Sequence, residues 1–267
     1  CRTLTARVRR AYTQIEPASA LPIRFEVIFN NTIDPATFTT DDIVQDGTAA
    51  DIAWQIENSS DNIRFALTAT AIGQDGTVTP TLPADTVTDT LGNANVASVH
   101  GDNTVVYDNQ SPTVSIASRV SSDTTPALGG SVSDGGATIQ VRVANRTYDA
   151  TNNGDGTWTL PDNIIDPPLG QGTYTVTVTA LDEAGNAHSD TATLEIDTLV
   201  PVVTVDATTT SDPTPALSGS VDETGAEIAV TVAGATYDAT NNGDGSWTLP
   251  DNTIDPPLAE GTYDVAV

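Results

Sequence analysis

Between Thr173 and Ala180 the chain alternates strictly, with Tyr174, Val176, Val178 and Ala180 on one side and threonines on the other. Successive side chains of a strand point to opposite faces, so a period of two predicts a strand with one buried and one wet face. The same pattern predicts strands near 113–117, 127–133, 138–143, 146–151, 157–160 and 189–196. Upstream it predicts Ile23–Phe29, Ile43–Gln45, Asp51–Glu57, Ile63–Ala69, Gly76–Thr81 and Thr104–Tyr107. Trp54 and Trp158 fall inside such strands and are core candidates. No apolar run approaches the ~18–20 residues that a membrane span requires, so no membrane insertion is expected within this segment.

The pattern recurs. Aligning 112–178 on 201–267 without a gap gives 43 identities in 67 pairs, a period of 89 residues. A period of this size marks a repeated domain. The second copy reaches Val267 without counterparts of Thr179 to Asp197, and is read as lacking its last strand. The expected organisation is a basic lead-in over 1–17, a distinct domain over 18–108, one repeat over 109–197 and a second over 198–267. Seven short strands with turn residues between them predict an all-β chain of tandem immunoglobulin-like β-sandwiches in an elongated array. The joints, Asp108 to Pro112 and Asp197 to Pro201, are stiffened by proline. Asn-Gly-Asp-Gly at 153–156 and 242–245 supplies the positive-φ positions of a hairpin turn. The same stretch, from Thr151 to Asp162, also has partial EF-hand spacing, but its flanks are strands where that loop needs helices.

Charge narrows the function. The 267 residues hold 28 Asp and 8 Glu against nine Arg and no Lys, for a net charge of −27. The segments 1–108, 109–197 and 198–267 carry −8, −8 and −11 of it. Such a surface excludes a nucleic-acid partner and docking on anionic lipid, both of which need a basic face. One cysteine, Cys1, excludes an internal disulfide. Four of the nine arginines fall in the first ten positions, where no alternation is read. This lead-in is taken as a truncated strand of a preceding unit, a gene-fragment artefact, or a lipoprotein start at Cys1. No Gly-x-Ser-x-Gly elbow and no lysine-bearing phosphate loop is present, and His100 and His188 sit at non-equivalent positions, so no enzyme is expected.

Lettering the seven strands of the repeat A to G assigns its loops to poles. Asp134 in the B–C loop and Asp182 in the F–G loop are expected beside the joint residue Asp108. In the next joint Asp197 is expected beside Glu223, the counterpart of Asp134, with Asp123 of the A–B loop approaching from the other side. Converging carboxylates repel by roughly a few kcal/mol per close pair unless neutralised. Calcium accepts 6–8 oxygen ligands in flexible geometry, which suits donors from three loops. Asn186, and Asp89 with Asn93 in the leading domain, offer further oxygens, or in the case of the asparagines left-handed turn geometry. The competing reading of each Asp is a turn residue that caps backbone amides with its own side chain.

Asp-Glu-Ala-Gly-Asn (182–186), Ile-Asp-Thr-Leu-Val-Pro (196–201), Thr-Pro-Ala-Leu-x-Gly-Ser-Val (125–132 and 214–221) and Asn-Gly-Asp-Gly-x-Trp-Thr-Leu (153–160 and 242–249) together resemble the bacterial Ig-like repeats of large surface adhesins and biofilm-associated proteins. The resemblance covers about 109–267, and the leading domain looks like a second Ig-like type. It implies an extracellular, cell-surface extender in which calcium, held at the junctions by Asp108, Asp134 and Asp182 and by Asp197 and Glu223, stiffens neighbouring repeats and holds a distal adhesive region away from the cell. Glu223 in place of Asp, and the Asn109 that follows Asp108, depart from the family pattern. The alternatives are a glycan- or protein-binding module and an accessory region of a secreted enzyme.

Overall fold

The computed structural model describes residues 3–267. The chain is all-β, in several sheets. It divides into two compact units, one ending at Asp197 and the other spanning Thr198–Val267. Among the described residues no helix is long and apolar enough to cross a membrane.

The leading part of the first unit is a five-stranded sheet in the order Ala53–Asn58, Arg64–Ala71, Ile23–Phe29, Ala6–Arg10, Val99–His100. Neighbours are antiparallel, except that Val99–His100 runs parallel to Ala6–Arg10. Two short pairs, Val44–Gln45 with Pro80–Thr81 and Gly76–Val78 with Val105–Tyr107, add Val78, Val105 and Tyr107 to one core with Phe25, Phe29, Phe38 and Phe65. Phe29, Phe38 and Phe65 meet edge to face with centroids 5.1–5.8 Å apart, the arrangement ring quadrupoles favour. Trp54 is only half-buried, edge-on to Phe25.

The segment read as a basic lead-in is corrected here. Ala6–Arg10 is an inner strand of this sheet, and Leu4, Ala6 and Val8 are buried while Arg7 and Arg9 face out. Arg9 lies opposite Glu26 and bonds it at 2.6 Å, and Arg10 reaches Glu16 and Asp102. Arg7 and Arg9 are the wet face of a half-buried strand, and Arg10 closes its end. The reading made for Cys1 lies outside the described residues.

From Arg119 to Ile196 seven strands form one hydrogen-bonded series: Arg119–Ser121, Ala187–Ile196, Gly172–Leu181, Thr138–Val143, Arg146–Asn152, Thr157–Leu160, Leu128–Ser131. Arg146–Asn152 belongs to both layers of the sandwich. Its first five residues pair with Thr138–Val143, and Thr151 and Asn152 pair with Thr157–Leu160. Between the layers lie Val141, Val143, Val176, Val178, Leu194 and Ile196 around the buried Trp158. Its indole N–H donates to the Ser115 carbonyl at 3.0 Å, which satisfies the one polar atom that burial would otherwise strand. Gly130 makes this approach possible, because a Cβ there would stand 1.9 Å from the Ser115 carbonyl oxygen.

The second unit repeats five of these strands in the same order: Leu217–Ser220, Ser246–Leu249, Ala235–Asn241, Ile228–Val232, Val265–Ala266. It has a core of its own around Trp247, whose indole donates to the Thr204 carbonyl at 2.8 Å over Gly219. The partial EF-hand spacing is also settled by these repeats as a hairpin: the Asn153 N–H donates to the Thr157 carbonyl, and Gly154 and Gly156 carry the positive φ.

Candidate junction site

Asp108, Asp134 and Asp182 line one pocket of about 410 Å³ in the first unit, together with Glu16, Pro17, Val106, Gly136, Glu183 and Ala184. The joint supplies Asp108, the B–C loop Asp134 and Gly136, the F–G loop Asp182 to Ala184, and the loop after the first strand Glu16 and Pro17. Glu16 stood inside the supposed lead-in, so sequence reasoning missed it. Its position is fixed at both oxygens, Oε1 accepting the Val106 N–H at 3.0 Å and Oε2 meeting Arg10 at 3.0 Å.

Each acid also has a local duty. Asp134 Oδ1 accepts the Gly136 N–H at 2.8 Å and Asp108 Oδ1 the Gln110 N–H at 3.0 Å. These are Asx turns that engage one carboxylate oxygen apiece. Asp182 is the centre of its turn: Oδ1 accepts the Asn186 N–H and Oδ2 the Asn186 side-chain amide. Burial pushes Asp182 up, but the bonds from the Asn186 side chain and from the N–H groups of Asn186, Gly185 and Ala184 outweigh it and hold the group below the ordinary carboxylate range.

Asn186 joins the turn to the joint through its amide nitrogen. Its amide nitrogen faces two acceptors, Asp182 Oδ2 and the Asp108 carbonyl, each at 2.9 Å. It is a donor that ties the F–G loop to the joint. The left-handed residue of this turn is Gly185, at φ +91°.

The leading domain builds the same turn with Asp89 and Asn93, away from the pocket. Asp89 is buried and accepts the N–H groups of Leu91 and Asn93 and the side-chain amides of Asn93 and Asn31. The Asn93 side chain, followed by the Asn93 and Leu91 amides, holds Asp89 below the ordinary range. Both carboxylate oxygens of Asp89 accept hydrogen bonds within this turn, and neither Asp89 nor Asn93 lines the pocket.

Asp123 accepts the N–H and hydroxyl of Thr125 and faces Asp162, and Asp212 repeats this with Thr214 and Asp251. The Thr125 N–H is the main cause holding Asp123 low. Asp197 ends the first unit, its N–H on the Ser121 carbonyl and its Oδ1 on Gln171 at 3.0 Å. Glu223 lies in the second unit, where its carbonyl accepts the Asn241 amide at 2.9 Å.

The donors around the pocket are carboxylate and carbonyl oxygens, the chemistry of a hard cation and unsuited to a thiolate- or imidazole-seeking metal. Among the described residues no three acidic, histidine or cysteine side chains stand close enough together to hold a metal ion as they are. Nor is any buried side-chain nitrogen or oxygen among them left without a hydrogen-bond partner.

Residues 103–198 match the family model of the bacterial Ig-like domain, and 201–267 repeats 112–178 of that segment. No curated protein matches the chain. Among solved structures it is similar to a tetra-tandem repeat from the extending region of a large adhesion protein, at 21% identity over 98% of this chain and 69% of that one, with a TM-score of 0.33. It is similar to a 1.5-MDa bacterial ice-binding adhesin, at 18% identity over 92% and 85%, with a TM-score of 0.35. A third is a calcium-stabilised adhesin of an Antarctic bacterium, at 18% identity over 92% and 65%, with a TM-score of 0.34.

Proposed function

We propose that this chain is a non-enzymatic extracellular spacer, a run of bacterial Ig-like domains whose acidic junctions take up calcium and so stiffen the array that holds a distal adhesive region from the cell surface. The observation that carries the reading is the convergence of Asp108, Asp134, Asp182, Glu16 and Glu183 on one pocket at the joint between the leading domain and the first repeat. Asp134 and Asp108 each keep Oδ2 out of their Asx turns, and Glu183 and the loop carbonyls complete an oxygen-only donor set. Calcium would supply the positive charge that lets these loops close on one another without carboxylate repulsion.

Small-angle scattering of the whole chain tests it. The expected result is a larger maximum dimension in calcium than in EDTA, with unchanged strand content by circular dichroism. An identical dimension in the two buffers ends the calcium-spacer reading.

A further inference from the structure

The first repeat is entered at Pro112 and left at Asp197, and the two strands at those ends lie side by side. Arg119–Ser121 pairs in parallel with Ala187–Ile196, in the register Arg119 with Leu194, Val120 with Glu195 and Ser121 with Ile196. The Asp197 N–H donates to the Ser121 carbonyl at 2.9 Å, and the Thr193 N–H to the Ser118 hydroxyl at 3.1 Å. Before this ladder begins, the side chains of the last strand hold the incoming one: the Val114 N–H donates to His188 Nδ1 at 3.3 Å and the Ile116 N–H to Asp190 Oδ2 at 3.0 Å. His188 and Asp190 occupy the inward-facing register of their strand, which explains why polar residues stand there.

We propose that this terminal patch is a force-bearing clamp, a function distinct from the cation pocket. Because the strands run parallel, entry and exit lie at opposite ends of the patch. Tension applied through the chain drags Val114 to Ser121 one way and Ala187–Ile196 the other. The backbone bonds between them are then loaded together in shear and must fail together, whereas a hairpin pulled from its open end loses its bonds one at a time. The Trp158 bond to the Ser115 carbonyl and the Ser115 N–H bond to the Ser131 carbonyl hold the incoming strand from its other side. The clamp rests on the spacer reading only for the source of the tension; its geometry belongs to the domain.

The test is single-molecule stretching of the whole chain, tethered at its termini, in EDTA so that cation binding plays no part. Ser121→Pro withdraws a ladder donor. Val141→Ala serves as a comparison that weakens the core without touching either strand of the patch, and both variants are first checked for strand content and denaturant midpoint. The expected result is that S121P lowers the unfolding force of the first repeat at least twofold more than V141A does, after matching for loss in midpoint. Asp190→Ala is expected to lower the force, and Asp190→Asn, which keeps an acceptor, to restore it. Equal force loss in S121P and V141A at matched midpoint overturns the proposal. A dimension insensitive to calcium would end the spacer reading and leave this result standing.

Discussion

Asn186 donates its side-chain amide to the Asp108 carbonyl at 2.9 Å, and with that one bond the F–G loop of the first repeat grips the joint behind which the leading domain begins. The second hydrogen of the amide is committed to Asp182. The joint is therefore tied by a residue whose own orientation is locked by the turn it closes.

Removing that tie is expected to loosen the joint before it harms either core. Asn186→Ala deletes two side-chain bonds at a half-exposed site, worth about 1–2 kcal/mol in local stability. Hydrogen exchange of the amides at Asp108 to Gln110 is expected to accelerate about tenfold, with the amides of Val141 and Val178 unchanged.

The pocket acids make a separable prediction. Asp134→Asn keeps an oxygen for the Gly136 N–H and removes only the charge. Calcium affinity by titration calorimetry on the whole chain is expected to fall at least tenfold, about 1.4 kcal/mol, with no change in thermal midpoint in EDTA. Asp89→Asn, away from the pocket, is expected to leave calcium binding unaltered.

Acid should act on the leading domain through Asp89. Its folded pKa is depressed by the Asn93 side chain and the turn amides. The stability it contributes is therefore complete above the unfolded value of about 3.9 and is lost as pH falls through the folded value. Trp54 fluorescence followed from pH 6 to pH 2 is expected to show an acid transition that is weaker in Asp89→Asn, a variant less stable than the parent at pH 7.

A tight steric requirement falls at Gly130 and its counterpart Gly219, where a methyl group would stand 1.9 Å from the carbonyl of Ser115 or Thr204. Gly130→Ala and Gly219→Ala must push the first strand away from Trp158 or Trp247, at a cost of about 1–3 kcal/mol. Differential scanning calorimetry is expected to show each substitution lowering only the transition of its own unit.

Much of this architecture was legible in the residues. The alternation of Tyr174 to Ala180 and its neighbours places all but the first strand of the first repeat within a residue or two, because a half-buried strand writes its faces directly into the sequence. The first strand of the leading domain was hidden for a physical reason. Leu4, Ala6 and Val8 do alternate, but the arginines between them and the small Ala6 weaken the apolar signal, and the partner that explains Arg9, Glu26, is seventeen residues away. The stretch from 113 to 121 was read as a single strand at 113–117; it changes partner midway, bridging Val132 at Val114 and pairing with Leu194 to Ile196 further on. Local pattern carries no record of such an exchange. In the site, Asp-x-x-Gly-Asn was visible in both 89–93 and 182–186, but cation ligand and turn centre call for the same residues.

Arg146–Asn152 serves both layers on one flank of the first repeat, and the incoming stretch from Val114 to Ser121 does so on the other. The sandwich is thereby sealed along both sides like a flattened tube. Sequences as alike as these repeats, threaded on one chain at high local concentration, are the setting in which open strand edges exchange partners or stack into fibres. A domain with both seams closed offers its neighbour no template, so near-identical copies can follow one another without misassembling.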